Sequence, residues 1–241
     1  MRHTGRAESV NDRLALALDT NDLPTALDWA RGVQGIFGVV KVGLELFSAV
    51  GPRSIDPLLD MGFKVFLDLK LHDIPNTVEK ASRAVASFGV SYLTVHSCGG
   101  EKMVEAALRG LIQGSETAGT KIPMLLGVTI LTSDEAADRS VIGERLSILS
   151  RAGARGLVCA ATDLDFVSSF GPKFFKVVPG IRRETDQVGD QVRVSTPAAA
   201  ISAGADLLVI GRPITNSSNP AGEAGKFRNC VAETLNSSQN R

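Results

Sequence analysis

The 241-residue sequence predicts an α/β fold, a single-domain (β/α)8 barrel of the TIM type, on three observations. Short apolar runs recur eight times, most of them ending in a polar or glycine-rich segment. Helix-like stretches lie between them, and no shift in composition marks a domain boundary. A doubly wound sheet would carry a glycine-rich turn after its first strand, whereas here that strand runs into Leu-Asp-Thr-Asn-Asp-Leu-Pro.

The strands are read, in order, at 14–19, 39–43, 64–70, 91–96, 124–129, 156–160, 174–179 and 207–211. Several are β-branched or continuously apolar, as strands buried on both faces are. A helix over 23–33 has Pro24 in its first turn. One over 77–88 follows Asn76, with Glu79 three residues on, in the pattern of a capping box. Further helices are expected over 101–111, 140–152 and 196–203, with Gly153 and Gly204 at the C-terminal ends of the last two. Residues 1–12 read as a flexible N-terminal segment and 213–241 as a C-terminal helix and tail, helical over 223–235.

Lys plus Arg and Asp plus Glu number 26 each, so there is no cationic field for nucleic acid and no nucleic-acid partner is expected. No apolar run approaches the roughly 20 residues of a membrane helix, and the run 14–18 ends in Asp19 without a signal-peptide core, so no membrane partner is expected either. The three cysteines, Cys98, Cys159 and Cys230, are widely spaced without a C-x-x-C pair. They read as reduced thiols in a cytoplasmic protein, filling space rather than doing chemistry.

Barrel chemistry sits at the C-terminal ends of the strands. Those ends carry Asp19, Lys41, Asp68, Lys70 with Asp73 just beyond, His96, Thr129 with Thr132 beyond, Gly180 with Arg182, and Gly211 with Arg212. Asp68 and Lys70 are two apart and share one face of an extended strand. Such charges survive burial only when paired, and alternating Lys and Asp would satisfy one another. Arg182 and Arg212 follow the seventh and eighth strands, where barrels often bind phosphate. Taken alone, the residues point to a phosphorylated small substrate and a Lys/Asp reaction centre.

The stretch from Asp68 to Thr77, DLKLHDIPNT, resembles the signature of the orotidine 5'-phosphate decarboxylase family. LALD ending at Asp19, VKVG around Lys41, VTILTS through Thr132 and Ser133, VPGIR ending at Arg182, GDQ ending at Gln191 and VIGR ending at Arg212 appear in the family's order. The resemblance implies a homodimeric barrel that converts orotidine 5'-monophosphate to UMP and CO2, the last step of de novo pyrimidine synthesis, with no metal or organic cofactor. It makes Lys70 the proton donor to C6 and sets Asp68 against the departing carboxylate. Lys41 and the partner subunit's Asp73 complete the charge array. Asp19 and Lys41 would bind the ribose hydroxyls, and Ile74 and Thr77 would reach across the dimer. Thr132, with Ser133 a further candidate, would lie near the base. Arg182, Gln191, Gly211 and Arg212 would hold the phosphate. One departure is visible: Val192-Arg193 stands where the family has a basic pair. His72, inside the signature, reads as structural, and His96 as a supporting or core histidine. Two alternatives stay open: a magnesium-dependent sugar-phosphate decarboxylase or synthase on a similar barrel, and a non-catalytic sensor of a phosphorylated ligand.

Overall fold

The computed structural model describes residues 9–131, 138–171, 173–183 and 194–239. Eight parallel strands close into a barrel in sequence order: β1 (Leu14–Ala17), β2 (Val39–Gly43), β3 (Lys64–Leu71), β4 (Tyr92–His96), β5 (Met124–Val128), β6 (Gly156–Val158), β7 (Phe175–Val178) and β8 (Leu207–Ile210). Closure comes from β1 and β8, with Leu14 opposite Leu208 and Leu16 opposite Ile210. Every expected strand forms: β2 keeps its expected bounds, β3 runs one residue further, and the other six are one or two residues shorter.

The helices between β1 and β4 are α1 (Leu23–Val33), α2 (Leu44–Val50), α3 (Asp56–Asp60) and α4 (Pro75–Ala86). Those from β4 to β7 are α5 (Glu101–Ala118), α6 (Arg139–Arg151) and α7 (Leu164–Ser169). The rest are α8 (Pro197–Ser202), α9 (Arg212–Thr215) and α10 (Pro220–Gln239). Asp22 caps α1, its carboxylate accepting from Thr25 N at 2.9 Å, and the Thr196 hydroxyl caps α8 through Ala199 N at 3.2 Å. The capping box at Asn76 does not form. Pro75, with its φ already helical, starts α4 earlier and leaves Asn76 inside the first turn. Glu79 turns instead to Arg83 and Arg109, at 3.3 and 3.1 Å. Helices α2, α3 and α7 have only five to seven residues, too few for a helical period to show in the sequence.

Part of the expected N-terminal segment is held in place. Asn11–Arg13 forms a 3-10 turn, the Asn11 carbonyl accepts from Gly38 N at 2.7 Å, and Asp12 pairs with Lys64 at 2.9 Å.

The period-two alternation of the strands divides the apolar residues into two bodies. Leu14, Leu16, Val40, Val42, Val65, Leu67 and Leu93 face the helix layer. Ala15, Ala17, Val39, Phe66, Leu126, Phe175, Val177, Leu207 and Val209 fill the barrel. Phe66, Tyr92 and Phe175 form an aromatic floor, with ring centroids 6.0 and 5.8 Å apart. Above that floor, the next inward positions of β2 and β3 are Lys41 and Asp68. Among the described residues, no helix is long and apolar enough to cross a membrane.

Helices α4 and α5 pack backbone to backbone through two glycines one turn apart. A Cβ at Gly110 would stand 2.2 Å from the Glu79 carbonyl oxygen, and one at Gly114 would stand 2.3 Å from that of Arg83. Alanine would gain about 1 kcal/mol of helix propensity, but forcing these helices apart costs more. Gly114→Ala is therefore expected to lower stability by a net ~1–3 kcal/mol, read as a lower urea midpoint with an unchanged slope. A raised midpoint would show that the helices can separate freely.

Candidate active site

A cavity of about 450 Å³ opens at the C-terminal end of the barrel, within the range of small-molecule sites. Its charged side is built by the first three strands. Lys41 lies opposite Ala17 on one side and Phe66 on the other, and Gly43 lies opposite Asp68. That register stacks Asp19, Lys41, Asp68 and Lys70 in a row of alternating charge. Lys41 Nζ lies 2.9 Å from Asp19 Oδ1 and 3.7 Å from Asp68 Oδ2. Lys70 Nζ spans both oxygens of Asp68, at 2.9 Å each. The side chains of Lys41 and Asp68 are each only 11% exposed, whereas Asp19 at 60% meets solvent. Glycine at 43 leaves the Lys41 ammonium undisturbed, since a Cβ there would stand 2.9 Å from Lys41 Nζ and 3.1 Å from Asp19 Oδ1 and would push those side-chain tips aside.

The sheet is irregular where Lys70 stands. Leu67 pairs with Leu93, but the next pair is Leu71 with Val95, so β3 spends four residues where β4 spends two. Lys70 takes up the slack at φ +50°, the single non-glycine residue with positive φ among those described. Its N–H donates to the Thr94 hydroxyl at 2.8 Å, and that hydroxyl lies 2.9 Å from Asp68 Oδ1.

Burial alone would raise the Asp68 pKa, but the charges of Lys41 and Lys70 and the hydrogen bonds from Lys70 and Thr94 outweigh it and hold the carboxyl below its ordinary 3.8. Burial likewise works to lower the Lys41 pKa, and the carboxylates of Asp19 and Asp68 reverse that, leaving it above 10.5. Both residues are charged at neutral pH. Burial, then His72 and Lys70, push half-buried His96 below 6.5, so it is neutral there. His96 lies 5.7 Å from His72, ring to ring, and His72 Nδ1 is 4.0 Å from Cys98 Sγ, outside the charged row.

The rest of the cavity wall is apolar at Val128, Ile130, Leu131, Val158 and Cys159, and basic at Arg182 and Arg212 beside Gly180 and Gly211. Arg182 is buried and donates to the Ile181 carbonyl at 3.0 Å. The structure thus brings together Asp19, Lys41, Asp68, Lys70, Arg182, Gly211 and Arg212 around one cavity. Asp73, Ile74 and Thr77 do not line it. They belong to an exposed strip, 72–77, in which the Asp73 carboxylate accepts from Ile74 N at 2.7 Å. Thr132, Ser133, Gln191 and Arg193 lie outside the described residues. Sequence reasoning passed over Thr94, although it sits two residues before His96 and so on the same strand face, and over Cys159 as part of the wall.

A (β/α)8 barrel whose mouth holds a nearly dry carboxylate between two ammonium groups, with arginines across the cavity, defines an enzyme acting on a small anionic molecule. A sequence model of the "Orotidine 5'-phosphate decarboxylase / HUMPS family" matches residues 12–227, and the chain belongs to that family. It is 44% identical over 238 residues to an orotidine 5'-phosphate decarboxylase of Nitrosomonas europaea, covering 94% of this chain and all of the relative. It is 42% identical over 221 residues to that of Nitratidesulfovibrio vulgaris, covering 88% of this chain and 94% of the relative. The crystal structure of the Lactobacillus acidophilus orotidine 5'-phosphate decarboxylase superposes with a TM-score of 0.78 at 33% identity, covering 91% of this chain and 99% of that one.

A carboxyl whose native pKa is depressed stabilises the fold above its unfolded value and loses that contribution as pH falls through the native value. The stability difference between the wild-type chain and Asp68→Asn is therefore expected to be flat from pH 8 to about 5 and to shift against the wild type below about pH 4. Urea unfolding at a series of pH values reads it, and a difference that stays constant into acid would mean the carboxylate is not held ionised.

Proposed function

We propose that this chain decarboxylates orotidine 5'-monophosphate to UMP and CO2, the last step of pyrimidine nucleotide synthesis. The observation that carries the reading is the Lys41–Asp68–Lys70 row at one side of a cavity whose other wall bears Arg182 and Arg212. The family and its named relatives support the substrate. The three cysteines are free thiols, which fits a cytoplasmic enzyme.

The nucleotide's phosphate pairs with Arg182 and Arg212 beside Gly211, with Gln191 as a further ligand, while Thr132 meets the base. Asp19 and Lys41 take the ribose hydroxyls. This places the pyrimidine carboxylate against Asp68, where like charges repel until the bond breaks. As the C6–carboxylate bond cleaves, its electron pair stays on C6 and CO2 leaves. The Lys70 ammonium, already beside that carbon, stabilises the carbanion and then transfers a proton to it. Lys70 becomes a neutral amine and is reprotonated from water after UMP departs. The chemistry needs no redox partner, and Lys41 puts a cation where a magnesium-dependent relative would need a metal-binding carboxylate.

We further propose a homodimer in which the partner subunit's Asp73 approaches Lys70, with the partner subunit's Ile74 and Thr77 against the nucleotide. The strip 72–77 is exposed, and Ile74 at 66% and Leu44 at 55% are large apolar side chains displayed just beyond β3 and β2.

The purified protein is expected to bleach the absorbance of orotidine 5'-monophosphate at an undiminished rate in EDTA. Lys70→Ala, still folded by circular dichroism, should be slower by at least about a thousand-fold, the scale of losing a preorganised charge from a transition state. Near-normal turnover in that variant would remove Lys70 as the donor, and inactivity of the wild type would overturn the substrate. Mixing inactive Lys70→Ala and Asp73→Ala chains should restore activity, approaching about a quarter of wild type for random pairing, because half the dimers are mixed and each holds one complete site. No recovery in mixtures shown to contain mixed dimers would confine the site to one chain.

A further inference from the structure

Thr94 lies in the middle of β4, fully buried, and does not line the cavity. We propose that Thr94 is a positioning residue for the reactive pair: its hydroxyl links the Lys70 backbone to the Asp68 carboxylate and so fixes where the Lys70 ammonium stands. This rests on the proposed decarboxylase activity and extends it to a residue that never touches substrate.

The direction of the link is set by valence. A backbone N–H can only donate and an ionised carboxylate can only accept. The Thr94 hydroxyl, with one hydrogen, therefore accepts from Lys70 N at 2.8 Å and donates to Asp68 Oδ1 at 2.9 Å. No other arrangement satisfies both contacts.

The backbone needs such a holder. A lysine at φ +50° sits in the left-handed region, which residues other than Gly, Asn and Asp seldom occupy and which is strained for a side chain with a Cβ. At the same place the β3–β4 ladder slips between Leu67 and Leu71, so the Lys70 N–H is turned away from regular pairing. The Thr94 hydroxyl receives it. The conformation decides the aim of the side chain: on a regular strand Asp68 and Lys70 would both project along the sheet normal, whereas here Lys70 folds back across Asp68 and spans both its oxygens at 2.9 Å. Thr94 thus holds the root of Lys70 and, through Oδ1, the group that receives its tip. Its hydrogen bond to Asp68 also favours the ionised carboxyl.

The test compares Thr94→Val, Thr94→Ala and Thr94→Ser. Valine keeps the shape without the hydroxyl and alanine removes both, while serine restores the hydroxyl alone. In the valine and alanine chains kcat is expected to fall about ten- to hundred-fold, as for a small misplacement of a reacting group. KM should stay within about threefold, since the phosphate and ribose contacts are untouched. The acid limb of kcat/KM should move to higher pH, and serine should recover both readouts. If valine prevents folding, alanine against serine decides the same question. Wild-type kcat and an unmoved acid limb in a folded valine or alanine chain would overturn the proposal, as would a serine chain no better than valine. The Asp68 carboxyl, followed by carbon NMR in unliganded protein, should titrate higher in Thr94→Ala than in wild type or Thr94→Ser, and an unchanged titration counts against the link. That measurement needs no turnover, so a wild-type chain inactive on orotidine 5'-monophosphate would defeat the substrate assignment while the titration still decides the role of Thr94.

Discussion

Asp68 is a carboxylate held almost out of water, and its charge persists because Lys41 and Lys70 approach it at 3.7 and 2.9 Å. Taking an ion of that size into a protein interior costs several kcal/mol even after relaxation, and burial works against the charge of both Asp68 and Lys41, so each depends on its partners to stay ionised. The row is mutually dependent. Asp68 holds two cations in place, the cations hold Asp68 ionised, and Asp19 at the exposed end ties Lys41 toward solvent. The fields are thus in position before any ligand arrives, the condition under which fixed charges act strongly on a reaction.

The barrel makes the row possible by bringing three consecutive strands side by side in a fixed register. Inward positions alternate along each strand, so the step above the aromatic floor falls to Lys41 on β2 and Asp68 on β3. Gly43 leaves room for the Lys41 ammonium, which a side chain would collide with. The break in the β3–β4 ladder then turns Lys70 back over Asp68 instead of continuing the alternation. A regular strand would carry the same two residues on one face but would not fold one across the other.

The fold was legible because its signal is periodic. Eight apolar runs and the glycines at helix ends are local features that a single sequence displays, and the charged row could be anticipated from Asp68 and Lys70 lying two apart. What escaped the sequence depends on contacts between distant segments. The positive φ of Lys70 comes from a slip against β4, and nothing in the letters around residue 70 announces it. Thr94 reads as an ordinary strand residue until the register sets it beside Asp68. Gly110 and Gly114 look like weak points in a helix, yet they are where α5 meets the backbone of α4. The apparent capping box at Asn76 misled in the opposite direction, a local pattern overruled by Pro75 one residue earlier.

The two ends of the cavity divide the work in the proposed reaction. At the Asp68 end a substrate carboxylate meets a like charge, and the partner subunit's Asp73 would add another, so that end alone disfavours binding. At the far wall Arg182 and Arg212 offer an anion the opposite welcome. A nucleotide long enough to reach both ends can use attraction at its phosphate to hold its carboxylate where repulsion is relieved only by losing CO2. Decarboxylation removes the group that Asp68 repels and leaves a carbanion beside the Lys70 ammonium, so one row of charges opposes the substrate through its carboxylate and favours the intermediate through its cation. A carboxylate pinned between two lysines is suited to this asymmetry, because its hydrogen bonds fix its position and the neighbouring ammonium groups favour its ionised form.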